Sequence, residues 1–179
     1  MRASPLLYFA VTLVLNLPLC SQVRDRDPLT EKEVDQLRET AIEPEKRLKL
    51  MVDFTKARIV AVEQLRSDPK LNKGRGQKIH DLLEDIATLV DEVDDNVENY
   101  NERNADLRKP LKQVVEMDSD FQTKLRELKA ASENSKNVDE AADYKFALED
   151  AIDSVNRSAD STRKLLEEQN AKFAKKKKT

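Results

Sequence analysis

One cysteine, one histidine, two glycines and no tryptophan occur among 179 residues. A lone cysteine excludes an internal disulfide and a multi-thiolate metal site. Two glycines that stand together at positions 74 and 76 leave no Gly-rich phosphate loop elsewhere. No nucleophile elbow and no haem-attachment motif is present either. Aromatics make up only 4% of the chain, and β-branched runs are scarce, which argues against a sheet. Charge is not one-sided, with 32 basic against 35 acidic residues. What remains is Glu, Lys, Ala, Leu and Asp, the composition of long helices.

The N-terminus stands apart. Arg2 supplies one positive charge, and Leu6 to Leu17 is apolar except for Thr12 and Asn16. Pro18 breaks the run, and Leu19-Cys20-Ser21-Gln22 leads into the charged Arg24-Asp25-Arg26-Asp27. This is the pattern of a secretory signal peptide over residues 1–21, with cleavage after Ser21. The apolar run is shorter than the roughly 20 residues needed to span a bilayer. Lipoprotein anchoring at Cys20 is the alternative, but Leu19 stands where that motif takes Gly, Ala or Ser. The expected location is therefore secreted or periplasmic. Cleavage removes the cysteine and leaves about 158 residues, ample for one domain, with 31 basic and 35 acidic side chains.

Apolar residues then recur three and four positions apart. Between Ile79 and Leu128 the stripe runs Ile79, Leu82, Ile86, Leu89, Val93, Val97, Tyr100, Leu107, Leu111, Val114, Phe121, Leu125 and Leu128, with only Asn104 and Asp118 polar on it. Such spacing lays an apolar seam along one helix face. Upstream, Thr30-Glu31-Lys32-Glu33 reads as a capping box. A helix follows through Val34, Leu37 and Ala41, is interrupted at Pro44, and continues through Leu48, Val52, Thr55, Ile59 and Val62. Ser67 to Gly76 holds a proline and both glycines and is the main loop. Ser132 to Asn137 is a short polar turn. A last helix from Val138 to about Lys172 carries a stripe and, beside it, a row of small residues, Ala147, Ala151, Ser154, Ser158 and Ser161, that admits a close neighbour.

Pro110 decides the architecture. A helix-interior proline costs about 3 kcal/mol, and Asn96, Asn99, Asn101 and Asn104 weaken the helix upstream. The stripe nevertheless keeps its phase from Tyr100 to Val114. The expectation is one long kinked helix from Gln77 to Ser132, with the first helix along its N-terminal half, the last along its C-terminal half, and all three overlapping around residues 97–114. The fold class is all-α: an elongated antiparallel three-helix bundle or coiled coil. The alternative is a four-helix bundle with a turn near residues 101–106. The layout is a signal peptide (1–21), a mobile leader (22–29), a single bundle domain (30–174) and a basic tail (175–179).

Candidate chemistry is sparse. His80 and Glu84 lie one turn apart and could share a metal, but an exposed ion pair is the simpler reading and no metal site is assigned. The Glu-x-x-His motif of di-iron bundles is absent, since Gln77 stands three before His80. Asp91, Glu92, Asp94 and Asp95 read as a solvated outer face, with no glycine turn to fold them round calcium. Gly74-Arg75-Gly76 before a helix start, with Lys70, Lys73 and Lys78 nearby, is a weak anion loop. Asn156-Arg157-Ser158 is a glycosylation sequon that matters only in a eukaryotic secretory route.

The most suggestive surface is the tail Lys172, Lys175, Lys176, Lys177 and Lys178, which carries +5 on a chain otherwise negative. It suits anionic lipid or an envelope polymer. Nucleic acid is excluded as the expected partner because no aromatic–basic stacking platform accompanies the charge. A protein partner remains unidentified, the seam also suits pairing with a second copy, and no cofactor is called for. The function expected is a non-enzymatic spacer, adaptor or chaperone-like binder acting through its surface, with an envelope-associated binder of anionic lipid or wall polymer as the alternative.

Overall fold

The computed structural model describes residues 26–134 and 138–176. The signal-peptide and lipid-anchor readings, most of the turn after Ser132 and the last three tail residues lie outside them. Among the described residues all regular structure is helical: α1 (Glu31–Glu39), α2 (Pro44–Ser67), a 3₁₀ turn (Pro69–Leu71), α3 (Arg75–Glu102), α4 (Arg108–Glu133) and α5 (Val138–Lys176). None of these helices is long and apolar enough to cross a membrane.

The local signals act as their chemistry requires. The Thr30 hydroxyl accepts from the Glu33 amide, and the Glu33 carboxylate accepts from the Thr30 amide at 2.8 Å, closing the capping box of α1. Pro44 opens α2 from its first turn, where no N–H is needed. Gly74 caps α3 with φ of 63°. α5 runs four residues past its expected end, so the first two tail lysines are helical.

The single central helix is not what forms. α3 stops at Glu102, Asn104 adopts a left-handed φ of 60°, and α4 starts at Arg108, so Pro110 falls in a first turn where its missing N–H costs nothing. Asn tolerates that conformation better than most residues. The chain also reverses here. Ser158 Oγ lies 2.9 Å from Asp94 and 3.2 Å from Asp118, whereas a continuous helix would hold those two acids about 36 Å apart. The interruption falls where the alternative reading put a turn.

Side-chain pairs give the directions. Arg47 meets Asn96 and Arg58 meets Asp85, so α2 and α3 are antiparallel. Lys109 pairs with Glu45 and Lys124 with Glu63, so α2 and α4 are parallel. α5 runs parallel to α3, through Arg75–Glu140 and Asn101–Gln169, and antiparallel to α4, through Leu107–Gln169 and Gln122–Asn156. α2 and α5 each pack against both α3 and α4, so α2 and α5 face one another across the core. The expected overlap of three helices at residues 97–114 is thereby replaced by four long helices side by side. Both rows of α5 are used: Leu148, Val155, Ala159, Thr162 and Gln169 of the stripe are buried, and so are Ala147, Ala151, Ser154 and Ser158 of the small row.

Every apolar member of the Ile79–Leu128 stripe except Leu82 is buried within the one chain. The leader ends against the bundle. Arg26 donates to Asp85 at 2.5 Å and to the Asp81 carbonyl, Arg58 donates to the Pro28 carbonyl at 2.6 Å, and Leu29 packs on the core. Arg58 also holds Glu33 through paired bonds of 2.5 and 2.7 Å, which, opposed by burial, lower the Glu33 carboxyl to about 2.

Two outcomes follow from this packing. Leu107, fully buried at the start of α4, should cost about 3–5 kcal/mol when replaced by Asp, because the charge has no partner there. Asp95→Ala, at an exposed position, should stay within about 0.5 kcal/mol; urea midpoints compare the two. The Glu33 carboxyl is lowered from 4.5, so its contribution is full above pH 4.5 and is lost as pH falls towards 2. The loss is on the order of 2–3 kcal/mol. Thermal melts of Glu33→Gln should show a smaller loss of stability across that acid range than the parent.

Candidate functional site

The basic end is assembled from three parts of the chain. Lys172 donates to Asn104 at 2.9 Å in the α3–α4 turn. Two cations approach the Phe173 ring, the Arg108 guanidinium at 5.0 Å and the Lys172 ammonium at 5.6 Å from its centre. Cations favour the electron-rich ring face. Arg108 is held by Asp106 through bonds of 2.9 and 2.6 Å, which lower the Asp106 carboxyl. A cleft of about 510 Å³ beside it is lined by Glu45, Asp106, Arg108, Lys109, Lys112 and Asn170. Glu45 pairs with Lys109, while Lys112 is exposed. Of the tail, Lys175 and Lys176 extend α5, and Lys177 and Lys178 fall outside the described residues. The sequence reading found Lys172 but not its neighbours in α4, because the antiparallel pairing of α4 with α5 brings Arg108, Lys109 and Lys112 to this end.

The other candidates are placed as follows. His80 Nδ1 lies 3.6 Å from both Glu84 and Asp81, which itself accepts from Gln77 at 2.7 Å. Donors of all three residues come within 4.8 Å of one another. Asp81 was not expected there, since adjacent residues do not usually share a helix face. Arg75 of the glycine loop is engaged by Glu140, at 2.8 and 2.9 Å. Gly76 is buried against Glu140 and Asp143 of α5. Two acids so close give an anion no reason to settle, so the loop serves helix packing instead. The sequon is similarly closed: Asn156 accepts from Gln122 at 2.9 Å, and Ser158 is fully buried.

The acidic run is not wholly a solvated face. Asp91 and Asp95 are exposed as expected, but Glu92 and Asp94 are half-buried, and Asp94 turns towards Ser158. Across the same hydroxyl sits Asp118, with no exposure at all. Burial pushes both carboxyls up, Asp94 to about 6 and Asp118 to about 7, and the Asp94 charge raises Asp118 further. Asp118 stood on the predicted stripe as a polar interruption; its partner was hidden because the meeting of 94, 118 and 158 depends on the turn at 103–107. Beside this centre a cleft of about 470 Å³ is lined by Asp94, Val97, Asn101, Arg157, Thr162 and Glu168 among others.

The chain matches no protein-family model, no curated protein and no solved structure.

Gly76 supplies a packing test. A Cβ there would lie 2.4 Å from Asp143 Oδ2 and 2.9 Å from both Asp143 Cβ and the Glu140 carbonyl. Gly76→Ala gains helix propensity of about 1 kcal/mol, but α5 must move to admit the methyl. The net result should be destabilisation by about 1–3 kcal/mol, read from urea unfolding.

Proposed function

We propose that the protein is a secreted or periplasmic, non-enzymatic helical bundle that works through its surface as a spacer or adaptor, and that its basic end docks on anionic lipid or envelope polymer. The observation that carries this reading is the convergence at one end of Arg108, Lys109 and Lys112 with Lys172 and the start of the lysine tail. Five lysines lie at or beyond Lys172, and each lysine near a negatively charged surface is worth about 1 kcal/mol. The two acids in this cleft are taken up by Arg108 and Lys109, which leaves the exposed Lys112 to face a partner. Phe173 anchors the end of α5 to α4 through Arg108 and holds the cations of the two helices together. The signal-like N-terminus supports a route across a membrane, which is where such polymers and headgroups are met.

Deletion of Lys175 to Thr179 should leave the melting temperature nearly unchanged. It should lower retention on vesicles containing anionic phospholipid at least tenfold at low salt, and the retention of the full chain should fall steeply as salt shortens the screening length below about 8 Å. Equal retention of the two chains would remove the tail from the docking surface. A full-length chain that is not retained even at low salt would leave only the spacer or adaptor reading.

A further inference from the structure

The centre between α3, α4 and α5 has two carboxylates and one hydroxyl. Ser158 Oγ is 2.9 Å from Asp94 Oδ1 and 3.2 Å from Asp118 Oδ2. A serine hydroxyl has a single proton to donate, and an ionised carboxylate has none. Both contacts are hydrogen bonds only when one of the two acids carries a proton and donates it to Ser158. Asp118 is the better holder, because it has no exposure. Its other oxygen, Oδ1, is buried without a partner, as is the Thr162 hydroxyl one turn along α5. Against a second negative charge stand only the coulombic pulls of Arg157 and Arg163 of α5, which burial outweighs. The nearest cations, Arg157 and Arg163, are exposed and turned to other groups: Arg157 to Asp91 and Ser154, Arg163 to Ser119 and Gln122. Further charges acting on the pair come from Asp91 and Asp95 of α3, which oppose ionisation, while α4 contributes only Asp118 and α2 contributes none among the described residues.

We propose that Asp94, Ser158 and Asp118 form a proton-held latch: one proton bound on Asp118 ties α3, α4 and α5 together, and its loss loosens the seam between α3 and α5. The acid group of Asp118 donates to Ser158, which donates to Asp94. When the proton leaves, two carboxylates face one hydroxyl, and one of them, Asp118, is sealed from water. Asp118 has no path to solvent. Asp94 has one, through the cleft it shares with Thr162, so the contact between Asp94 and Ser158 is the one that parts. The latch is closed in mildly acidic surroundings and open above neutrality. The direction agrees with the raised protonation ranges of both acids: a group bound more tightly to its proton when folded gives stability at low pH and loses it as pH rises.

Two measurements on the full-length chain decide the matter. Hydrogen exchange, corrected for its intrinsic pH dependence, should show protection around residues 90–98 and 154–165 falling at least tenfold between pH 5 and pH 8. In Asp118→Asn the amide donates to Ser158 at every pH, so that fall should vanish. The same fall in Asp118→Asn overturns the proposal. So does recovery of protection in the parent at pH 8 on adding millimolar calcium or magnesium, which would make the centre a metal site. Carboxyl-carbon NMR of the parent needs no variant to fold: it should show one of the two acids still protonated at pH 6, and titration of both in the ordinary aspartate range contradicts the latch.

Discussion

The reversal between Glu102 and Arg108 is the constraint on which the rest depends. Five residues, one of them Asn104 in a left-handed conformation, turn a stretch that would otherwise continue as a helix. The turn sets α3 and α4 on either side of α5, so that α5 buries one row of side chains against each. The buried acid pair is a consequence of that reversal and does not exist in a chain that runs straight through; the basic end comes from the antiparallel pairing of α4 with α5.

Polar groups then specify how the helices align. Gln169 donates to Asn101 at 2.9 Å and to the Ala105 carbonyl, and its own oxygen accepts from the Leu107 amide. One buried side chain on α5 thus satisfies three groups of the turn, groups that would cost about 1–3 kcal/mol each if left unpaired. About three turns upstream, Ser158 bridges α3 and α4. Apolar seams tolerate a shift of register, whereas these contacts are lost if α5 slides by a single turn. The cost is carried at Asp118, whose burial is favourable only with a proton in place.

Much of this was legible in the residues. The Thr30 capping box, the Pro44 start, the loop around Gly74 and the seam residues from Ile79 to Leu128 follow from short-range rules, and the structure has each in place. The long helix was misread for a physical reason. Two antiparallel helices that bury the same core keep an apolar residue at matching intervals, so phase across Tyr100 and Leu107 carries no information about the backbone between them. The signals that did carry it were the asparagines and Pro110, whose position in a first turn makes it a start rather than a kink. The candidate sites were less legible, because Asp94 with Asp118, and Lys172 with Arg108, are brought together by tertiary geometry. Asp118 did signal itself, as an acid on an apolar stripe, but its partners could not be named from spacing.

The reversal is tested most directly by a distance. Spin labels at Thr88 and Thr123, both exposed, can be introduced as cysteines in a chain whose Cys20 is replaced by Ser. These positions lie at the same level of the bundle, on α3 and α4, and pulsed electron spin resonance should find them roughly 20–35 Å apart, a span of two to three helix diameters. A continuous helix through Pro110 would hold them about 52 Å apart, and a single narrow distribution near that value would contradict the account.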